Sequence, residues 1–145
     1  MEKFAIKDLT GGRKFNFGFL SLSSDEIMEF AKMVDPLDFH TDLEAANNSI
    51  FRGLIASGPH IFTKFYKTCW LPLFKPTVKA GLGVNNWRLL LPVYADSKIS
   101  GQALVAKASH NPLKQHSVIQ WNWEFRNENS DIVQSLEITI LHWLK

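Results

Sequence analysis

Apolar and polar positions alternate from Lys14 to Leu22, with Phe15, Phe17 and Phe19 on one side, which predicts a strand after the turn signal Thr10-Gly11-Gly12-Arg13. The period changes at Ser23. Ile27, Phe30, Ala31 and Val34 recur at helical spacing, and Ser23 with Glu26 three residues on forms a capping box. That helix ends at Asp35, because Pro36 lacks an amide hydrogen and pushes its predecessor away from helical angles. Thr41 to Asn47 reads as one or two helical turns capped by Thr41 or Asp42 and stopped by Asn47-Asn48-Ser49. Residues Pro59 to Leu71 carry the longest apolar helical pattern. Ile61, Phe62, Phe65, Tyr66, Cys69 and Trp70 cover about half the circumference, so this helix should be buried on most sides and end before Pro72.

After Gly81 the pattern is that of strands. Val84 to Val93, Lys98 to Ser109, Ser117 to Asn127 and Ile132 to Leu144 are rich in β-branched and aromatic residues. Turn signals at Ala95-Asp96, Asn111-Pro112 and Asn127-Glu128-Asn129-Ser130 separate them, and such short connections imply antiparallel neighbours. Trp121, Trp123 and Phe125 alternate with Gln120, Asn122 and Glu124, as in a strand packed on one face and wet on the other. Leu89-Leu90-Leu91 predicts a strand covered on both sides. One long apolar helix followed by antiparallel strands, joined by the earlier one, makes an α+β layer.

Composition narrows the class. A chain of 145 residues, 46% hydrophobic and 21% charged, is expected to form a single domain over 1–145. A net charge of +2 with scattered basic residues gives no reason to expect a nucleic-acid partner. Met1 to Lys7 lack a signal-type apolar stretch, and no run of about 18 apolar residues occurs, so the expectation is a cytoplasmic protein without membrane attachment. The single cysteine, Cys69, falls in the apolar helix series and reads as a core thiol. No His, Cys or carboxylate cluster has metal-ligand spacing, and no phosphate-cradling glycine loop is present; no metal or cofactor is expected.

Candidate chemistry concentrates between Asp35 and His60. His40 follows Asp35 by five residues across the forced turn, within reach of a shared water molecule. Histidine is the side chain best poised to move protons near neutral pH, and a carboxylate beside it orients the ring or shares the work. Ser57-Gly58-Pro59 then opens the long helix: Gly58 admits close approach to the backbone, Pro59 suits a first helical turn, and free amide hydrogens there favour negative charge.

The segment Asp35-Pro36-Leu37-Asp38-Phe39-His40, with Ala45-Ala46, Phe51 and Gly53-Leu54-Ile55-Ala56-Ser57-Gly58, resembles the signature of the MaoC-like hydratase/dehydratase family. A weaker similarity continues through Asn86-Trp87-Arg88, Pro92-Val93 and Asp96. The resemblance implies a hotdog fold, an antiparallel sheet wrapped around the long helix, and usually a homodimer with the site near its interface. It implies reversible hydration and dehydration of 2-enoyl and (R)-3-hydroxyacyl thioesters of coenzyme A or an acyl carrier protein. Asp35 and His40 would be the catalytic pair and Gly58 the oxyanion donor, with Ser57, Pro59, Phe39 and Arg88 toward the substrate. Leu37 and Asp38 depart from the family's Asn or Gln and Pro. The expected consequence is a like charge at Asp38 beside the pair, or a re-aimed loop. These departures motivate a second reading, a non-catalytic acyl-thioester-binding subunit; a third is a hotdog thioesterase. The placement of His40 after Asp35, with no carboxylate on the long helix, favours hydration over hydrolysis.

Overall fold

In the computed structural model, residues 5–144 are described; the first four residues, on which part of the amino-terminal reading rests, lie outside them. Among the described residues, five antiparallel strands form one sheet in the order β1-β3-β4-β5-β2. They are β1 Lys14–Leu20, β2 Val78–Leu89, β3 Ile99–Asn111, β4 His116–Arg126 and β5 Ile132–Trp143. Between β1 and β2 run the helices α1 Ser24–Val34, α2 Asp38–Thr41, α3 Leu43–Asn47, α4 His60–Phe65 and α5 Leu71–Phe74.

The Ser23–Glu26 capping box forms, with Glu26 N–H donating to Ser23 Oγ and Ser23 N–H to Glu26 Oε1. A wider π-helical turn, Tyr66–Trp70, joins α4 to α5. The helix therefore does not stop before Pro72, as the proline suggests, but continues to Phe74. Proline removes a helical donor and crowds the preceding turn; at the start of α5, directly after the wider turn, that defect is accommodated. This central helix packs its aromatic face into the sheet. Trp70, Phe74 and Trp121 meet with centroids 4.7 to 5.5 Å apart, and Phe65 lies 5.3 Å from Phe125. Gly101 in β3 permits the approach, since a Cβ there would fall 2.7 Å from Phe65 Cε1.

Trp121, Trp123 and Phe125 are buried, while Gln120, Asn122 and Glu124 remain partly solvated on the outer face, as the alternation requires. Three expectations are corrected. In β1, Phe15 and Phe17 pack on the core but Phe19 is exposed, because a register shift between Asn16 and Phe19 breaks the two-residue period. Strand β2 begins at Val78 rather than Val84, its glycine-rich start held by pairing with β5 from Val78↔His142 onward. Leu89-Leu90-Leu91 is not doubly covered: these side chains are 62%, 51% and 43% exposed. The ladder ends there because the amides of Leu90 and Leu91 converge on one carbonyl, that of Val133.

At the far end of the helix His142 is fully buried. Its Nε2 accepts from Trp121 Nε1–H at 3.0 Å, so Nδ1 carries the proton and donates to Thr77 Oγ1 at 2.9 Å, whose own hydrogen goes to the Phe74 carbonyl. Burial pushes this imidazole down to about 4 from its ordinary 6.5. Because the unfolded chain binds a proton more readily than the folded one, stability from this site is complete above pH 6.5 and is lost as pH falls through about 4. Chemical denaturation at stepped pH is expected to show a loss of about 3 kcal/mol from this group across that window. His142→Gln, which keeps an acceptor and a donor but cannot charge, should flatten the slope; an equally steep slope in that variant would assign the loss elsewhere.

Candidate active site

The forced turn after α1 and the start of α4 meet in one cleft of about 420 Å³. Asp35 closes α1 with its N–H bonded to the Ala31 carbonyl, and its extended backbone (φ −158°) swings the chain through Pro36. Leu37 N–H returns to the Asp35 carbonyl at 2.8 Å, and the Leu37 carbonyl accepts from His40 N–H at 2.9 Å and from the Thr41 hydroxyl at 3.1 Å, so the loop is shaped without the side chains of Leu37 and Asp38. The 54–56 stretch is threaded between two partners. Ile55 N–H reaches the Phe39 carbonyl, while Ala56 N–H and the Leu54 carbonyl pair with Val93 and Ala95.

His40 is 4% exposed. Its Nδ1 lies 2.7 Å from the Ile55 carbonyl, an acceptor only, so Nδ1 carries the hydrogen and donates. Nε2 of the neutral ring therefore presents a lone pair to the cleft, 3.3 Å from Asp35 Oδ2. Two acceptors at that distance need a proton between them, either on the ring or supplied by a third group. The buried Ser57 hydroxyl donates to the same Asp35 oxygen at 2.7 Å and so fixes the carboxylate's rotation. Asp35 Oδ1 has no hydrogen-bond partner among the described residues, and the side chain is one-third exposed.

Gly58 lines the same cleft, where a Cβ would fall 2.6 Å from Leu89 Cδ1. Its amide hydrogen has no acceptor among the described residues, and its carbonyl accepts from Gln134 Nε2 at 2.8 Å. Phe39 lines the wall, its ring 5.2 Å from that of Phe51. The structure thus brings Asp35, His40, Ser57, Gly58 and Phe39 together. Pro59 stands outside the lining as the residue capping α4. Arg88 is not brought in either. It pairs with Ser135 and lines a groove on the outer face of the sheet with Gln102, Asn122, Glu124 and Glu137, because neighbouring strand residues face opposite sides and Trp87 takes the inner one. Asp38 is exposed in the first turn of α2 and does not line the cleft.

Sequence reasoning missed Gln134, a 3% exposed amide in the cleft wall. A signal existed: along β5, Gln134 occupies the inward register shared by Leu136, Ile138 and Ile140, where a polar residue is out of pattern. It also missed the Leu89–Leu91 rim, read as strand interior. His60, buried with Nδ1 unpaired, stacks on Phe30 with centroids 4.1 Å apart and does not line the cleft. Burial lowers its pKa and favours the neutral ring. Among the described residues no group of three or more His, Cys, Asp or Glu side chains is placed to hold a metal ion, and no helix is long and apolar enough to cross a membrane.

No protein-family model matches the sequence. The protein YdeM of Bacillus subtilis, itself uncharacterized, is 32% identical over 96 residues, spanning 65% of this chain and 67% of the relative. Among solved structures, a monoamine oxidase regulatory protein from Archaeoglobus superposes with a TM-score of 0.85 at 21% identity, over 98% of this chain and 95% of that one. A MaoC-like dehydratase from Rhodospirillum rubrum gives 0.84 at 22% identity over 99% of both chains. The (R)-hydratase PhaJ1 from Pseudomonas aeruginosa gives 0.76 at 19% identity, over 97% of this chain and 86% of that one. The chain belongs to the family of the Bacillus subtilis protein YdeM, and its fold is the MaoC-like hotdog fold.

Proposed function

We propose that this protein is a hydro-lyase that adds water reversibly to 2-enoyl thioesters, giving (R)-3-hydroxyacyl thioesters. The observation that carries the reading is the 3.3 Å approach of Asp35 Oδ2 to His40 Nε2 at the cleft, with the ring held from behind by its Nδ1 on the Ile55 carbonyl. A water molecule donating one hydrogen to His40 Nε2 and the other to the Asp35 carboxylate is oriented and activated in the same step. Its oxygen attacks C3 of the enoyl group while His40 takes its proton. The adjacent carboxylate stabilises the resulting imidazolium, which returns the proton to C2, so one water is added across the double bond. Negative charge accumulating on the thioester oxygen is met by the Gly58 amide hydrogen; one such donor contributes on the order of 3 kcal/mol in acyl-transfer sites. The hydratase and dehydratase names among the solved structures of the same fold support this reading.

Coenzyme A or acyl-carrier-protein thioesters are the corresponding substrates, and the functional unit is a homodimer. Strand β2 is an edge that carries exposed Leu82, Val84 and Leu89, with Leu90 and Leu91 exposed just beyond it. An unpaired apolar edge of this kind is stable when covered by a second copy.

Loss of the ultraviolet absorbance of crotonyl-CoA is the direct assay. Asp35→Asn and His40→Ala are each expected to lower turnover by about 10²–10⁴-fold while unfolding as cooperatively as wild type. Near wild-type rates in either variant would remove that residue from the mechanism. Release of free thiol would identify a thioesterase instead, and acyl-CoA binding without turnover a binding subunit. Light scattering at micromolar concentration should return twice the 16.6 kDa chain mass; a monomer mass would overturn the dimer.

A further inference from the structure

The wall of the cleft at Gln134 is built unlike the rest. Trp87 Nε1–H donates to Gln134 Oε1 at 2.9 Å, and Gln134 Nε2–H donates to the Gly58 carbonyl at 2.8 Å. An indole can only donate, so it fixes which end of the amide faces which partner. Swinging Gln134 aside would strip a buried amide of both its partners, a costly change. This wall therefore does not yield to a ligand as a lone leucine would.

Behind it, aromatic rings occupy the space between helix and sheet. Phe62 of α4 meets Trp87 edge-on at 5.7 Å and Trp123 at 5.2 Å, and packs on Tyr66 at 5.5 Å. Trp123 in turn stacks on Phe125, and Tyr66 on Trp70.

We propose that the Trp87–Gln134 pair, backed by Phe62, closes the acyl end of the cleft and restricts the protein to short acyl thioesters of the crotonyl and butyryl size. This rests on the reading of the cleft as a thioester site. Trp87 and Gln134 are then specificity-determining residues, acting by where the pocket stops.

Calorimetric titration with butyryl-CoA and octanoyl-CoA tests the wall without requiring turnover. In a pocket with room, octanoyl-CoA binds more tightly, because each buried methylene adds to affinity. The closed pocket predicts that octanoyl-CoA binds at least tenfold more weakly than butyryl-CoA. Trp87→Ala and Phe62→Ala are expected to narrow that gap at least fivefold, chiefly by improving octanoyl-CoA. Equal or tighter octanoyl-CoA binding in wild type overturns the proposal, as does a gap unmoved in both variants. Hydration of crotonyl-CoA and octenoyl-CoA at equal kcat/KM would overturn the wall and leave the hydratase reading standing. Chain-length discrimination in binding with no hydration of either would do the reverse, and no binding of either thioester would overturn both.

Discussion

One buried hydrogen bond, from His40 Nδ1 to the Ile55 carbonyl, holds the cleft together. It joins α2 to the stretch leading into the central helix, and that stretch is in turn tied to Phe39 and Val93 by its own amides. It also selects the tautomer. With Nδ1 committed, Nε2 faces Asp35, and in the neutral ring the 3.3 Å separation is a place where a proton is wanted rather than one where a bond is already complete. A ring turned the other way would present a hydrogen to the carboxylate and form a closed pair with no basic nitrogen left for a ligand. Ser57 performs the matching service for Asp35, occupying one carboxylate oxygen so that the other stays open.

The aromatic core provides a fixed floor for these loops. Trp70, Phe74, Trp121 and His142 interlock at the far end of the helix, and Phe65 seats it over Gly101. Packing of this density leaves little freedom for the helix to slide, so Ser57 and Gly58 at its start are held relative to Asp35. The cost of that rigidity is a sheet that spends its inner surface on the helix and leaves the β2 edge and the Leu89–Leu91 rim uncovered. Rigid core and exposed rim follow from the same arrangement: the interior is filled by rings, and the cleft is pushed to the border of the sheet.

What the sequence made legible follows the strength of each local signal. The capping box at Ser23 and the alternation through Trp121, Trp123 and Phe125 are each sufficient to determine local structure, and both appear as read. Pro72 misled because a proline reports a missing donor, while the π turn just upstream, which absorbs the defect, has no side-chain signature of its own. Leu89-Leu90-Leu91 misled because an apolar run is the same whether buried by its own sheet or left at a rim. Arg88 was misplaced by strand parity: a register shift between Asn85 and Arg88 decides which of two neighbours faces the helix, and no local composition encodes it. Gln134 depends on a contact 76 residues away, with Gly58, and only its polarity in an inward register betrayed it.

The departures at Leu37 and Asp38 bear on whether the pair can act. The bonds that shape the turn run from Leu37 N–H to the Asp35 carbonyl, from His40 N–H and the Thr41 hydroxyl to the Leu37 carbonyl, and from Asp42 N–H to the Asp38 carbonyl. None requires a particular side chain at 37 or 38. Asp38 sits in the first turn of α2, where a carboxylate is favourable to the helix start, and it is exposed there rather than lining the cleft. Leu37 does line the cleft, adding apolar surface to a wall that also includes Leu89 to Leu91. The substitutions therefore change what the pocket wall offers a ligand while leaving the approach of Asp35 to His40 intact.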